Sequence, residues 1–354
     1  MIFRESLSVG LDIGRNAVKI AGIKKQRIPK IEFLWHYDFV LSGKVKRLEE
    51  LTDTIIVQTL REILKEIPLS IKRVHTTLST PETEVRTIEM PLINSGEIKP
   101  ALRWNLASVI VAPIEEVEYD YFVLNRNKNA NTMNVLVGLA SREKLTKHLD
   151  ILHRTRLEPL SVDIDSLAIY NAFVSLYPFK ENQTVILMNI GAEKTTVIIC
   201  HPEHDPTIIS HPIGGNTITR QIESYLHISF KDAEEQKINY SLSTDRESLE
   251  FLPIPEAKWQ EFFYQFANQL SDIINQINIY YQVQNGVDPA EKILITGGGS
   301  NLTGLDLFLA QKSRISVQRW DPTENEQISY HSEKSGSKIN GIQFTTAIGL
   351  ALRD

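Results

Sequence analysis

Two separated stretches of this chain follow one plan, and that repetition constrains the fold more than any other feature. Leu7 to Ile13 and Val18 to Ile23 are apolar runs joined by Gly14-Arg15-Asn16, which reads as strand, tight turn and strand. Much later, Val185 to Ile190 and Thr195 to Cys200 repeat the plan around Gly191-Ala192-Glu193-Lys194. Gly10-Leu11-Asp12-Ile13-Gly14 aligns with Leu187-Met188-Asn189-Ile190-Gly191, as internal duplication would produce. A chain of 354 residues exceeds the size at which one hydrophobic core stops growing, so each hairpin is expected to open its own lobe.

Between the hairpins, Leu48, Leu51, Ile55, Leu60, Ile63, Leu64 and Ile67 recur at helical spacing, and a strand follows near Val74 to Leu78. Strands at Val85 to Met90, Tyr119 to Leu124 and Met133 to Leu139, with helices at Glu97 to Val109 and Arg142 to His153, form an inserted α+β unit. Asn125 to Asn131 reads as its exposed hairpin loop. Beyond the second hairpin, Ile213 to Leu226 and Lys231 to Lys237 read as helices, and Ser243 to Pro255 as a loop. Glu256 to Val283 sets Trp259, Phe262, Phe263, Phe266, Leu270, Ile273, Ile277 and Tyr280 along one stripe, a core face rather than a partner face. Lys292 to Thr296 is a strand, Asp321 to Lys338 a polar surface loop, and Thr345 to Leu352 an apolar helix.

A hydrophobic share of 42% with 23% charged residues is that of a globular protein, and the net charge of −6 gives no general attraction to nucleic acid. One cysteine excludes an internal disulfide framework. Charges in Met1-Ile2-Phe3-Arg4-Glu5 interrupt a signal-peptide pattern, and no apolar run is long enough to span a bilayer. The expected location is cytoplasmic, with no direct membrane insertion.

Three motifs carry chemistry. Asp12-Ile13-Gly14-Arg15-Asn16-Ala17-Val18-Lys19 supplies turn amides and an ammonium for phosphate oxygens, and a carboxylate that can organise the water shell of Mg²⁺. By itself the motif is weak, because Asp-Ile-Gly turns are common and an ordinary hairpin explains it better. Asn189-Ile190-Gly191-Ala192-Glu193-Lys194-Thr195-Thr196 has the same form, but Asn189 brings no negative charge to a metal, which weakens the case for hydrolysis. Gly297-Gly298-Gly299-Ser300 follows a strand and precedes a helix at Leu305; three glycines admit a flat group such as a purine.

With these residues in this order, the sequence resembles the actin-like ATPase superfamily, and within it the PilM family of type IV pilus assembly. Further residues that carry the resemblance are Thr87 to Pro91, Tyr119 to Tyr121, Val162 to Ala168, Pro212 to Thr219, Ala233-Glu234 with Lys237, and Thr296 to Leu305. The resemblance implies a two-lobed α/β fold of the ribonuclease H-like kind. Its subdomains would be 1–80 with 157–183 and 340–354; an insert at 81–156; 184–214 with 268–339; and 215–267. It implies ATP and Mg²⁺ as cofactors. Asp12 would meet metal and phosphate with Gly14, Arg15 and Asn16, and Lys19 would stand near the phosphates. Gly191, Ala192, Glu193 and Lys194 would lie on their other side. Glu234 and Lys237 would touch ribose, and Gly214, Gly297, Gly298, Gly299 and Ser300 would flank adenine. Family members usually carry Asp where this chain has Asn189, which makes that catalytic position degenerate. The implied role is a scaffold held to the inner membrane by the cytoplasmic tail of a PilN-like protein, beside other pilus components and compatible with homo-oligomers.

Taken without the resemblance, Glu234 and Lys237 are only an i, i+3 pair on a solvated helix face. Cys200-His201-Pro202-Glu203-His204-Asp205 has no zinc spacing and reads as a strand-to-strand loop. His36, His75 and His153 show no evident partners. A sugar kinase of the same superfamily would need a carboxylate base, for which Asp163 and Asp165 are the candidates, although both suit a helix entry. FtsA-like and GspL-like adaptors are further alternatives, disfavoured by the lack of an anchor or span in this sequence.

Overall fold

The computed structural model describes residues 6–67, 70–78, 83–242, 254–324, 326–330 and 340–353. Its first sheet runs β14 (Ser329–Tyr330), β3 (Lys30–Asp38), β2 (Ala17–Lys25), β1 (Ser6–Ile13), β4 (Arg73–Leu78) and β8 (Glu158–Ile164). β1 to β3 form an antiparallel meander, and β4 and β8 run parallel to β1. The second sheet repeats this: β11 (His204–His211), β10 (Thr195–His201) and β9 (Val185–Ile190) are a meander, and β12 (Lys292–Thr296) and β13 (Ser316–Arg319) run parallel to β9. Gly14 N–H donates to Ala17 O and Gly191 N–H to Lys194 O, both at 2.9 Å. The duplication in sequence is therefore a duplication of topology, closed by the same turn twice.

Between the sheets lie α4 (Asp165–Leu176) and α9 (Thr345–Ala351). Ile169, Ala172 and Phe173 of α4 and Ala347, Ile348 and Ala351 of α9 share one cluster with Ala21 and Ile23 of the first sheet and Val185, Leu187, Ile198 and Leu294 of the second. The backbones nearly touch. A Cβ at Gly349 would stand 1.9 Å from Ala168 O, and one at Gly10 would stand 2.0 Å from Ala347 O.

The outer face of the first sheet is covered by α1 (Asp53–Glu66) and α3 (Arg142–Arg154) through Val57, Leu60, Ile63, Ile151 and Leu152. α5 (Asn216–Leu226), α7 (Glu256–Asn285) and α8 (Leu305–Ser313) cover the second sheet through Ile222, Phe266, Leu270 and Leu309. The insert is a third sheet of β5 (Thr83–Pro91), β7 (Thr132–Ser141) and β6 (Val117–Asn127), in that order. Its helix α2 (Ser95–Val109) lays Ile98, Leu102 and Leu106 on Met133, Val135 and Val137.

Several expectations change. Within 81–156, β5, α2, β6 and β7 have their own core, whereas α3 gives Ile151 and Leu152 to the first lobe. On α7 the buried stripe passes through Phe262, Phe266, Leu270, Ile273 and Ile277 to Tyr281, while Tyr280 is exposed. Continuing by four from Ile277 keeps the stripe on one face of a 3.6-residue helix. Most of the Ser243 to Pro255 loop, and residues 325 and 331–338 of the Asp321 to Lys338 loop, lie outside the described residues; Ser329–Tyr330 joins the first sheet beside Lys30 and Ile31. His75 has a partner after all, with Nδ1 at 2.8 Å from Ser161 Oγ. His36 is packed edge-on to Phe344, and His153 is exposed.

His148 on α3 sits inside the lobe, its Nε2 at 3.0 Å from Thr76 Oγ1, and that hydroxyl donates to Leu11 O. The hydroxyl proton is thus used, so Nε2 carries a proton and donates it to Thr76 Oγ1. Burial lowers the His148 pKa from 6.5 to about 4. Its contribution to stability is full above the unfolded value and is lost as pH falls toward the folded one.

Two outcomes are expected. Gly349→Ala should destabilise the protein by about 3 kcal/mol in urea melts, because neither backbone can retreat without opening the shared layer. Acidification from pH 7 to pH 5 should cost about 2 kcal/mol through His148. His148→Gln should therefore show a visibly shallower fall over that interval, and an unchanged slope would refute the assignment.

Candidate functional site

Asp12 and Lys19 are direct partners across β1 and β2, which brings Lys19 Nζ to 3.5 Å from the carboxylate. Asp12 is 6% exposed. Burial pushes its carboxyl pKa up; Lys19 opposes this, the Asp165 carboxylate adds to it, and Lys194 opposes it again. Asp165 is close because α4 begins where β8 ends, on the edge of the sheet where β1 also ends. Asp165 Oδ1 accepts from Ser166 N–H at 2.8 Å and from Lys194 Nζ at 2.7 Å. Lys194 belongs to the second lobe, so this ion pair spans the cleft.

A second bridge lies beside it. Asn16 and Asn216 exchange amide hydrogen bonds at 2.8 and 2.9 Å, and Asn216 Nδ2 also donates to Glu193 Oε1 at 2.8 Å. Arg220 grips both oxygens of Glu193 at 2.7 and 3.0 Å. Gly215 N–H and Asn216 N–H donate to the carbonyls of Gly191 and Ala192 at 2.9 and 2.8 Å, which pins the start of α5 to the second turn. Gly214 passes so close that a Cβ would stand 2.4 Å from Ala192 O. Arg15, at the tip of the first turn, is exposed.

Glu234 and Lys237 are not a solvated pair. They lie on α6 (Phe230–Leu242), 2.7 Å apart with both side chains 11% exposed. Thr219 Oγ1 donates to Glu234 Oε2 at 2.5 Å, and Lys237 Nζ donates to Gly215 O at 3.3 Å. Packing of α6 on α5 places the pair against the Gly215 turn, beside the glycine run.

Within that run the three glycines differ. Gly297 has φ +84°, and its Cβ would stand 2.6 Å from Ile190 O and 2.7 Å from Asn189 Oδ1. At Gly299 a Cβ would meet Ile190 Cγ2 at 2.4 Å, whereas at Gly298 it would meet nothing within 4 Å. Ser300 is fully buried and donates its hydroxyl to Gly297 O at 2.6 Å. Gly297, Gly299 and the Ser300 hydroxyl are thus occupied in packing the run on the second turn; Gly298 is the open position. Recesses of about 430 and 410 Å³ lie away from this cleft, on the insert around Asn94 and Arg126 and on the α5–α7 surface around Tyr225 and Lys258.

Over residues 10–354 the sequence matches the family described as type IV pilus assembly protein PilM. The chain belongs to that family. In structure it is similar to the chain solved as "PilM-PilN type IV pilus biogenesis complex", with 22% identity, 98% of each chain covered and a TM-score of 0.80. It is also similar to ethanolamine utilization protein EutJ from Carboxydothermus hydrogenoformans, with 13% identity, 98% of this chain and 89% of that one covered, and a TM-score of 0.53. The fold is the two-lobed actin-like one.

In this PilM-family chain the structure brings many of the motif residues together. Asp12, Gly14, Asn16, Lys19, Gly191, Ala192, Glu193, Lys194 and Gly214 converge between the lobes, and Glu234 with Lys237 closes one side. Asn216 as a bridging residue and Asp165 as the partner of Lys194 are not legible in the sequence. Both pairings join residues far apart in the chain, and no local pattern announces them.

The glycine run yields a direct contrast. Gly297→Ala should cost about 1–3 kcal/mol in stability, since it combines a positive φ with a backbone clash. Gly298→Ala should stay within about 0.5 kcal/mol of the wild type. Equal losses in thermal melts would contradict the division of roles.

Proposed function

We propose that this PilM-family chain binds ATP with Mg²⁺ between the Asp12 and Asn189 turns and serves as a scaffold in type IV pilus assembly. The observation that supports the reading is the pairing of two equivalent turns across a cleft furnished with two carboxylates, Asp12 and Asp165, and two ammoniums, Lys19 and Lys194. That set matches a polyphosphate with a hard cation. Lys19, Lys194 and the turn amides would hold phosphate oxygens, and Asp12, assisted by Asp165, would hold the waters of the metal. When bound, Mg²⁺ would neutralise phosphate charge. Binding must loosen Lys194 from Asp165, so the ligand competes with a contact that joins the lobes.

Asn189 sets the balance between holding and consuming the nucleotide. It lies half-buried against Gly297 and contributes no charge. We therefore read the chain as a nucleotide-gated scaffold with slow or absent turnover. Its partner in this reading is the cytoplasmic tail of a PilN-like membrane protein, suggested by family membership and by the complex its fold resembles. Among the described residues no helix is long and apolar enough to cross a membrane.

A kinase reading is less favoured. The Asp163 carboxylate is held by Arg353 and by Ile164 N–H, and Asp165, once released by Lys194, is assigned to the metal's waters, which leaves neither as the base a kinase would need.

In thermal unfolding, Mg-ATP at about a thousand times its dissociation constant should add roughly 4 kcal/mol of stability. Lys194→Ala should lose most of that gain, and no shift for the wild type with either ATP or ADP would remove the nucleotide reading. Asn189→Asp should raise phosphate release above a slow wild-type rate. A tail peptide of a PilN-like protein should co-purify with the chain, and failure with and without ATP would count against the scaffold role.

A further inference from the structure

The insert belongs by chain to the first lobe, yet its polar anchor is on the second. Asp205, the second residue of β11, accepts at one oxygen, Oδ2, from Asn125 Nδ2 of β6 and from Asn134 Nδ2 of β7, both at 2.7 Å. Two amide donors converge on one carboxylate oxygen, so the carboxylate is aimed at the insert. Asp205 is itself held from behind: its backbone carbonyl accepts from the hydroxyl of Tyr281, a fully buried residue of α7, at 3.2 Å. The contact runs unbroken from the core of the second lobe to the sheet of the insert.

We propose that Asp205 is a clasp that fixes the inserted subdomain to the second lobe and makes it follow that lobe when the cleft opens or closes. The reason lies in the strand that leads to it. β10 begins at Thr195, next to the Gly191–Lys194 turn, and ends at His201, just before Asp205. At about 3.3 Å per residue the two ends of this strand are roughly 20 Å apart. β10 is buried along its whole length and bonded on both sides, to β9 and to β11, so it transmits displacement as a stiff bar. Two of the bridges between the lobes, Lys194 with Asp165 and Asn16 with Asn216, lie in the cleft, where a ligand would compete with them. Asp205 lies outside the cleft and keeps its hold while those exchange partners. Its role in gating rests on the nucleotide reading above; its role as a clasp does not.

Hydrogen exchange on the full-length chain separates the two. Without nucleotide, Asp205→Ala should speed exchange in the β6–β7 hairpin roughly tenfold relative to wild type, with protection in β9 and β12 unchanged. Asn134→Asp, which sets a second carboxylate against Asp205, should do the same, and the double variant Asn134→Asp/Asp205→Asn should restore protection by reversing donor and acceptor. Wild-type exchange in Asp205→Ala, or no restoration in the double variant, would overturn the clasp. With Mg-ATP, the hairpin of the wild type should change its protection and that of Asp205→Ala should not, while both keep the thermal shift. A retained hairpin response in Asp205→Ala would overturn the coupling. A wild type without any thermal shift would instead count against the nucleotide reading, with the ligand-free comparison still deciding the clasp.

Discussion

Where α9 crosses α4 at Gly349 and β1 at Gly10, there is no room for a single methyl group. That close approach lets two short helices serve as a shared middle layer between both sheets, with Phe173, Phe344 and Trp320 filling the space around them. It also sets the depth at which α4 starts, and so where Asp165 meets Lys194. Lys25 donates to Arg353 O, and the Arg353 side chain is tied to Asp163, which fastens the segment following α9 to the first lobe. The geometry of the cleft is thus inherited from apolar packing behind it, before any polar group in the cleft makes a bond.

The cleft is electrostatically self-contained. Two carboxylates and two ammoniums compensate each other in a place where isolated charge would be costly. The burial that pushes the Asp12 carboxyl upward is held in check by Lys19 first. Had Asn189 been a third carboxylate, the balance would have shifted toward needing a cation permanently. With an amide there the charges of the cleft are matched internally, and on the nucleotide reading proposed above a charged ligand would exchange one set of pairings for another.

The two turns were legible in the sequence because a glycine turn between β-branched runs is a local pattern, and both copies close with the same hydrogen bond. The helices with clear periodicity were legible for the same reason, down to the face of α7 up to Ile277. β3 was not, since Glu32, His36 and Asp38 interrupt its apolar character. The glycine run was seen but assigned a single meaning; only the neighbours of each Cα show that Gly297 and Gly299 answer to Ile190 and Gly298 does not. Glu234 and Lys237 looked like surface residues because helical spacing says nothing of the helix that will cover them. Pairings such as Asn16 with Asn216 are decided by how two lobes meet, and that information is spread over the entire core.

The third sheet ends on long strands, β5 at one margin and β6 at the other. β14 lies along the outer side of β3, whereas the eleven residues of β6 form the outer margin of the insert. An exposed margin of this length is a template onto which another chain can add a strand. Its outward positions include Glu118 and Asp120, with Glu115 and Glu116 just ahead. Glu118 is paired with Arg142 at 3.0 Å and Glu115 with Arg103 at 2.9 Å, so a strand added here would have to break or bury charges of both signs, which blunts the edge against further pairing.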